Sequence, residues 1–410
     1  MPTAFFRKDN MDNQQLLSKS SFSRAPFHVV PVDNNISWAG STDVKNELLR
    51  IVREVRHSQL ELSHLALIYG EYGSGKTHAL KYIRDRLKRE GRSLVAYLDK
   101  PKVEKKGSFH GIVKEVIKQI GRGPLRTAVE PIVRYIQAEV ARELPQLFAK
   151  ASLEEAKDLG AFGKRAQAES KRRLQEALYP RFPEIFNVFE GLVEDNGEAW
   201  NYFSSKASPA ALKAFELNSG IEDDHDALGA LAAIYTVLTK KYPEIPGTPV
   251  FDGAYLLIDE MEQFLEMKSD EFISIRTGLR DLFNSCTEHF ALFLSATAEN
   301  ASLFHGILEE AIMARVTANP IHMSSHDEVD DGARFLTELM TYARNGAQAP
   351  SPEHPFTIDA LKEIVERTTT PRTARRLIQN ANRVWQGAAQ LVINGGTIGA
   401  EDVGNVHGLT

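Results

Sequence analysis

Short, unbroken apolar runs alternate along the chain with longer segments whose apolar residues recur every three and four positions. Leu65-Ala66-Leu67-Ile68-Tyr69, Ser93-Leu94-Val95-Ala96-Tyr97-Leu98, Ala254-Tyr255-Leu256-Leu257-Ile258 and His289-Phe290-Ala291-Leu292-Phe293-Leu294 have strand length. Apolar residues at every position are what strands buried on both faces of a parallel sheet require. A fifth short strand is expected around Pro320-Ile321-His322-Met323. Behind the capping cluster Ser41-Thr42-Asp43, residues Leu48, Leu49, Ile51, Val52 and Val55 give Val44 to His57 one buried helical face. Helices are also expected over Phe109 to Ile120, Phe272 to Phe283 and Glu309 to Val316. The alternation predicts an α/β fold with a parallel five-stranded sheet.

Gly121 to Pro246 reads as a large helical insertion, with Ile132, Val133, Ile136, Val140, Leu144 and Leu147 at helical spacing and further helices over Leu153 to Ala177 and Ala227 to Lys240. A helical lid is expected over 326–403: Asp327 to Arg344, Thr357 to Arg367, and a third helix capped by Thr370 with Pro371 at its first position. Residues 25–325 then form the main domain, residues 1–24 a polar mobile arm, and 404–410 a tail. At 410 residues the chain is long enough for two or three packed units. A net charge of -6 excludes a body that is basic throughout, so any DNA contact must come from local patches. The single cysteine, Cys286, fits a reducing, cytoplasmic setting, and no run is apolar enough to span a membrane.

Chemistry enters with Gly70-Glu71-Tyr72-Gly73-Ser74-Gly75-Lys76-Thr77, which directly follows the first strand. Glycines in a G-x-x-x-x-G-K-T spacing let backbone amides converge on a phosphate, and the helix that starts here, through His78, presents its positive end to the same anion. Lys76 supplies a point charge for the β- and γ-phosphates of a nucleotide, and Thr77 a hydroxyl for Mg2+. Asp259 and Glu260 end the third strand at the carboxyl edge, where ligands bind in parallel sheets. Asp259 suits a Mg2+ contact and Glu260 the base that polarises an attacking water. Ser295 and Thr297, ending the fourth strand, can sense the γ-phosphate or terminate the strand as ordinary turn formers. The loop around Ile36 and Trp38 suits adenine, or Trp38 is a packing residue.

Lys102, Lys105 and Lys106 follow the second strand and are candidate nucleic-acid contacts, although clustered lysines also serve solubility alone. Lys164-Arg165 and Lys171-Arg172-Arg173 in the insertion read either as a solvated face or as a contact for nucleic acid or an acidic partner.

Taken together, these residues resemble the AAA+ ATPases, in particular the initiator-like branch of origin-recognition, Cdc6-type and transposition ATPases. The resemblance covers Trp38 to Lys118 and Phe251 to Val403 and leaves the insertion outside; Gly40-Ser41 stands where many members have a Gly-Arg pair, and the family's winged-helix domain has no counterpart. The wording Gly70-Glu71-Tyr72-Gly73 is also similar to ATPases of bacterial phage-defence operons. The resemblance implies a P-loop three-layer sandwich and an ATP hydrolase that forms homo-oligomers and acts on DNA, on partner proteins, or on both; the insertion, outside the resemblance, is expected to carry the protein-partner specificity. The alternative is an ATP-dependent protein scaffold or remodelling ATPase that makes no nucleic-acid contact. It further implies that Ser295 or Thr297 is a first sensor, that Arg372 (with Arg375 as substitute) reads the γ-phosphate from the lid, and that Arg315 is the finger completing a neighbour's site, with Arg276 and Arg280 as alternatives.

Overall fold

A computed structural model describes residues 13–28, 36–57, 63–99, 108–151, 158–308, 310–313 and 320–409. Its five strands, β1 His64–Gly70, β2 Ser93–Leu98, β3 Gly253–Ile258, β4 Phe290–Thr297 and β5 Ile321–His322, form one all-parallel sheet in the order β2-β3-β4-β1-β5. Successive side chains of a strand point to opposite faces, and here both faces are apolar. Leu65, Leu67, Ala96, Leu256 and Leu292 face one core, while Ala66, Ile68, Val95, Tyr255 and Phe293 face the other. The second core is closed by α2 (Thr42–His57) and α3 (Lys76–Glu90). The first is closed by α4 (Ser108–Ile120) and by helices that follow it, an arrangement compatible with a three-layer sandwich.

The insertion contains α5 (Arg122–Ala149), α6 (Leu159–Leu178), α7 (Ile185–Val193), α8 (Gly197–Phe203), α9 (Pro209–Ala214) and α10 (Asp224–Thr239). The helix expected from Leu153 starts at Leu159, where the Asp158 side chain accepts from the Ala161 amide; 152–157 lie outside the described residues. Helix α10 is apolar all round, from Ala227 to Leu238, and a helix of that kind has to be enclosed. It packs against α4, β3 and α11 (Ser269–Ser285), so the end of the insertion belongs to the sheet's own helix layer. Gly278 of α11 lies flat against the Phe109 ring of α4, leaving no space for a methyl group.

After β4 come α12 (Leu303–Ile307) and α13 (Glu310–Met313); the remainder of the helix expected over Glu309 to Val316 lies outside the described residues. The C-terminal unit holds α14 (Val329–Arg344), α15 (Ile358–Arg367), α16 (Ala374–Gly387), α17 (Ala389–Ile393) and α18 (Ala400–Gly404). Its third helix starts later than expected, with Thr373 and not Thr370 preceding it. The backbone of Arg372 is committed elsewhere: its amide donates to Asp327 Oδ1 (3.0 Å) and its carbonyl accepts from the His326 amide (2.9 Å).

From residue 13 the N-terminal segment differs from the mobile arm expected over 1–24. Helix α1 (residues 13–19) and the turn after it place Leu16, Phe22 and Phe27 in the core of the C-terminal helices. Trp385 Nε1 donates to Ser20 Oγ (3.0 Å) and Ser23 Oγ to the Ala343 carbonyl (2.7 Å). Isolated phenylalanines carry no period, so these long-range contacts leave no local signature in the sequence.

Candidate functional site

The glycine loop joins β1 to α3 at the carboxyl edge of the sheet. Gly73 and Gly75 adopt φ of 86° and 107°, in the left-handed region that favours glycine. Gly75 precedes the helix, so the amides of Lys76, Thr77 and His78 are the first of α3 and have no acceptor within it. Lys76 is buried, and its ammonium donates to the carbonyls of Gly70 (3.0 Å) and Glu71 (2.9 Å). Burial lowers its pKa, opposed by the carboxylates of Glu262, Asp259 and Glu71. Among the described residues Ser74 Oγ is buried without a hydrogen-bond partner. An orphan hydroxyl, a desolvated ammonium and unpaired helix amides at one place form a cradle that can take an anion.

Asp259 and Glu260 follow β3, one strand away from the loop, since β4 lies between β3 and β1. Asp259 is almost fully buried and well bonded. Its Oδ2 accepts from Tyr97 Oη (3.1 Å), and its Oδ1 accepts from the Glu260 amide (3.0 Å) and from Ser295 Oγ. Burial, followed by the charges of Asp259 and Asp99, pushes the Tyr97 phenol upward, so Tyr97 stays a donor. Glu260 sits at φ 52° and opens a short 3-10 helix, Met261–Glu266, whose Met261 and Phe264 are buried. Its carboxylate accepts from Gln263 Nε2. Glu262, on the same short helix, accepts from the Thr297 amide (3.0 Å) at the tip of β4. Thr297 in turn is the register partner of Gly70.

The sheet therefore brings together Gly70 to His78, Asp259, Glu260, Ser295 and Thr297. Sequence reasoning missed Tyr97 and Glu262. Tyr97 ends an apolar run and looks like core, whereas Glu262 was open to detection as a third carboxylate within four residues of Asp259. Among the described residues no three His, Cys, Asp or Glu side chains form a metal cluster of their own. A Mg2+ that arrives with substrate phosphates needs only one or two protein ligands, which Thr77 and Asp259 can supply.

The two lid arginines are arranged opposite to expectation. Arg372 turns away from the loop, with its guanidinium donating to the carbonyls of Asp327 and Thr368. Arg375 meets the loop: its guanidinium lies over the Tyr72 ring (4.4 Å to the centroid) and donates to the Tyr72 hydroxyl. Its amide donates to the Gly73 carbonyl (3.0 Å). The three-residue delay in α16 is the cause, because it puts Arg375, not Arg372, in the first exposed turn.

Trp38 is buried, packed edge-on against Tyr82 (5.2 Å), with its indole N–H donating to the Ser41 carbonyl (3.1 Å). Enclosure beside it lowers the pKa of His78, whose Nε2 lies 2.7 Å from the Ser37 carbonyl. Lys102, Lys105, Lys106 and Arg315 lie outside the described residues. In the insertion, Lys171 pairs with Glu190, Arg172 with Glu169 and Glu176, and Arg173 with Glu143, which leaves that basic run largely self-neutralised. Comparison with models of known protein families gives no match, and comparison with curated protein sequences gives none either.

Proposed function

We propose that the protein is an ATP-binding and ATP-hydrolysing switch of the AAA+ kind that assembles as a homo-oligomer and acts on DNA, on partner proteins, or on both. One observation carries the reading: a buried lysine in a glycine loop and an acidic pair after β3 share one carboxyl edge, separated by a single strand. Two strand spacings amount to about 10 Å, room for a phosphoryl group and one water between lysine and base.

In this reading the amides of Lys76, Thr77 and His78 bind phosphate oxygens. Lys76 exchanges the carbonyls of Gly70 and Glu71 for the β- and γ-phosphates. Thr77 and Asp259 hold Mg2+, which when bound offsets phosphate charge and fixes the phosphoryl group for in-line displacement. Glu260 leaves Gln263 and accepts a proton from the water that attacks the γ-phosphorus. The bond to the β–γ bridging oxygen breaks, and ADP and phosphate leave. Ser295 and Thr297 hold the tip of β4 against this centre. A neighbour's arginine, Arg315 or one of Arg276 and Arg280 on α11, supplies the remaining charge, so turnover depends on assembly.

A scaffold or remodelling ATPase without nucleic-acid contact is the second reading, favoured by the self-neutralised basic run of α6. Phosphate release measured against protein concentration, with and without duplex DNA, separates the two. Turnover that rises with concentration and with DNA supports a switch that acts on DNA; a rise with concentration alone supports the second reading. No hydrolysis by the wild type, or undiminished hydrolysis by Glu260→Gln, overturns both.

A further inference from the structure

The carboxylate of Glu262 binds neither phosphate nor metal in the proposed site, yet it stands at the junction of the three central strands. It lies on the short helix after β3, on a different face from the buried Met261 and Phe264. Two consecutive backbone amides at the tip of β4 connect it to a carbonyl that also holds the lysine. Glu262 Oε2 accepts from the Thr297 amide (3.0 Å), the next amide, that of Ala298, donates to the Gly70 carbonyl (3.2 Å), and that same carbonyl accepts from Lys76 Nζ (3.0 Å). Of the other two acids that act on Lys76, Asp259 is hydrogen-bonded on both oxygens by Tyr97, Ser295 and the Glu260 amide, and Glu71 is exposed. A buried ammonium bonded only to neutral carbonyls still needs a counter-charge nearby.

We infer that Glu262 is a positioning residue of the proposed ATP site: it pins the tip of β4 to the acidic turn and supplies the counter-charge that holds Lys76 in place until a phosphate displaces it. Burial lowers the Lys76 pKa, and Glu262 comes first among the carboxylates that act against that lowering. Two properties are thereby separated. The charge of Glu262 competes with phosphate for the lysine, while its acceptor oxygen orders Thr297. Glu262→Gln removes the first and keeps an acceptor for the second; Glu262→Ala removes both.

The inference rests on the proposed ATP site for its role, but its physical core is testable without nucleotide. Thermal unfolding is measured for the wild type, Lys76→Met, Glu262→Gln and the double variant. If Glu262 is the counter-charge, Glu262→Gln lowers Tm by about 1–2 °C in the wild type and by nothing resolvable in the Lys76→Met background. Equal shifts in both backgrounds overturn the inference, whatever the protein does with ATP. Titration of a fluorescent ATP analogue with Mg2+ then tests the role. Removing one nearby negative charge tightens binding of the analogue to Glu262→Gln by roughly five- to tenfold, an effect that shrinks as salt is raised. Glu262→Ala binds as tightly but loses more turnover than Glu262→Gln, because only the alanine leaves the Thr297 amide without its acceptor. Weaker binding by Glu262→Gln would contradict the assignment. Absence of analogue binding by the wild type, with the unfolding cycle coupled as expected, would instead remove the ATP reading and leave the counter-charge standing.

Discussion

Replacing Arg375 by alanine should weaken ATP binding far more than the same change at Arg372. In the structure Arg375 is held by Tyr72, a residue 68% exposed, through a cation–π contact and one hydrogen bond to the hydroxyl. At an exposed site the ring contact is worth about 0.5–1 kcal/mol. A charge-assisted hydrogen bond to phosphate is worth about 1.5–3 kcal/mol. The bond to the hydroxyl is exposed and exchanges with bonds to water at little net cost, so transfer of the guanidinium from Tyr72 to a phosphate gains roughly 1–2 kcal/mol and Arg375→Ala should raise the Kd for ATP about tenfold. The backbone bond from residue 375 to Gly73 is retained in that variant, which keeps the helix in place. Tyr72→Ala removes the competing contact and should tighten binding by about threefold, with Tyr72→Phe in between. Arg372→Ala removes bonds to Asp327 and Thr368 within the C-terminal unit and should leave the Kd within about twofold while lowering stability. Equilibrium titration of a fluorescent ATP analogue with Mg2+ checks all four proteins. A larger loss for Arg372→Ala than for Arg375→Ala, or weaker binding by Tyr72→Ala, would refute the reasoning.

Gly278→Ala forces a methyl into the Phe109 ring and should cost about 1–3 kcal/mol, read as a lower midpoint in urea; an unchanged midpoint would mean that α4 and α11 do not meet there. Burial lowers the pKa of both His64 and His78 from 6.5, so below that pH the unfolded chain takes up protons that the native state refuses. Stability should thus fall as pH drops from 6.5 toward the depressed native values, by up to about 1.4 kcal/mol per pH unit for each histidine, with a shallower slope in His78→Gln. Deletion of residues 1–27 uncovers the apolar surface that receives Leu16, Phe22 and Phe27. At about 1.5–3 kcal/mol for each buried side chain, it should cost several kcal/mol and raise binding of a hydrophobic dye, whereas an unaltered melting curve would show the segment to be dispensable.

The sheet was legible in the sequence because four of its five strands hold an unbroken apolar run, and β2 has the expected ends at Ser93 and Leu98. The loop and the acidic pair were legible because their chemistry is contiguous in sequence. Two kinds of information were not. Glu262 and Tyr97 matter through strand order, which places β4 between β3 and β1 and which no local pattern encodes. The start of α16 was misplaced because Thr370-Pro371 is a good local helix opening, and it was overridden by tertiary bonds from Asp327 and His326 to the backbone of Arg372. That three-residue displacement put Arg375, and not Arg372, against the glycine loop.

The proposed function requires a triphosphate to lie between Lys76 and the acidic turn. Determining the structure of the Glu260→Gln variant with ATP and Mg2+ tests this most directly. The predicted result has Lys76 Nζ moved from the Gly70 and Glu71 carbonyls onto phosphate oxygens, with the cation within reach of Thr77 and Asp259. A nucleotide seated instead in the cavity of about 460 Å³ lined by Lys45, Arg334 and Tyr342, with Lys76 still on its two carbonyls, would contradict it.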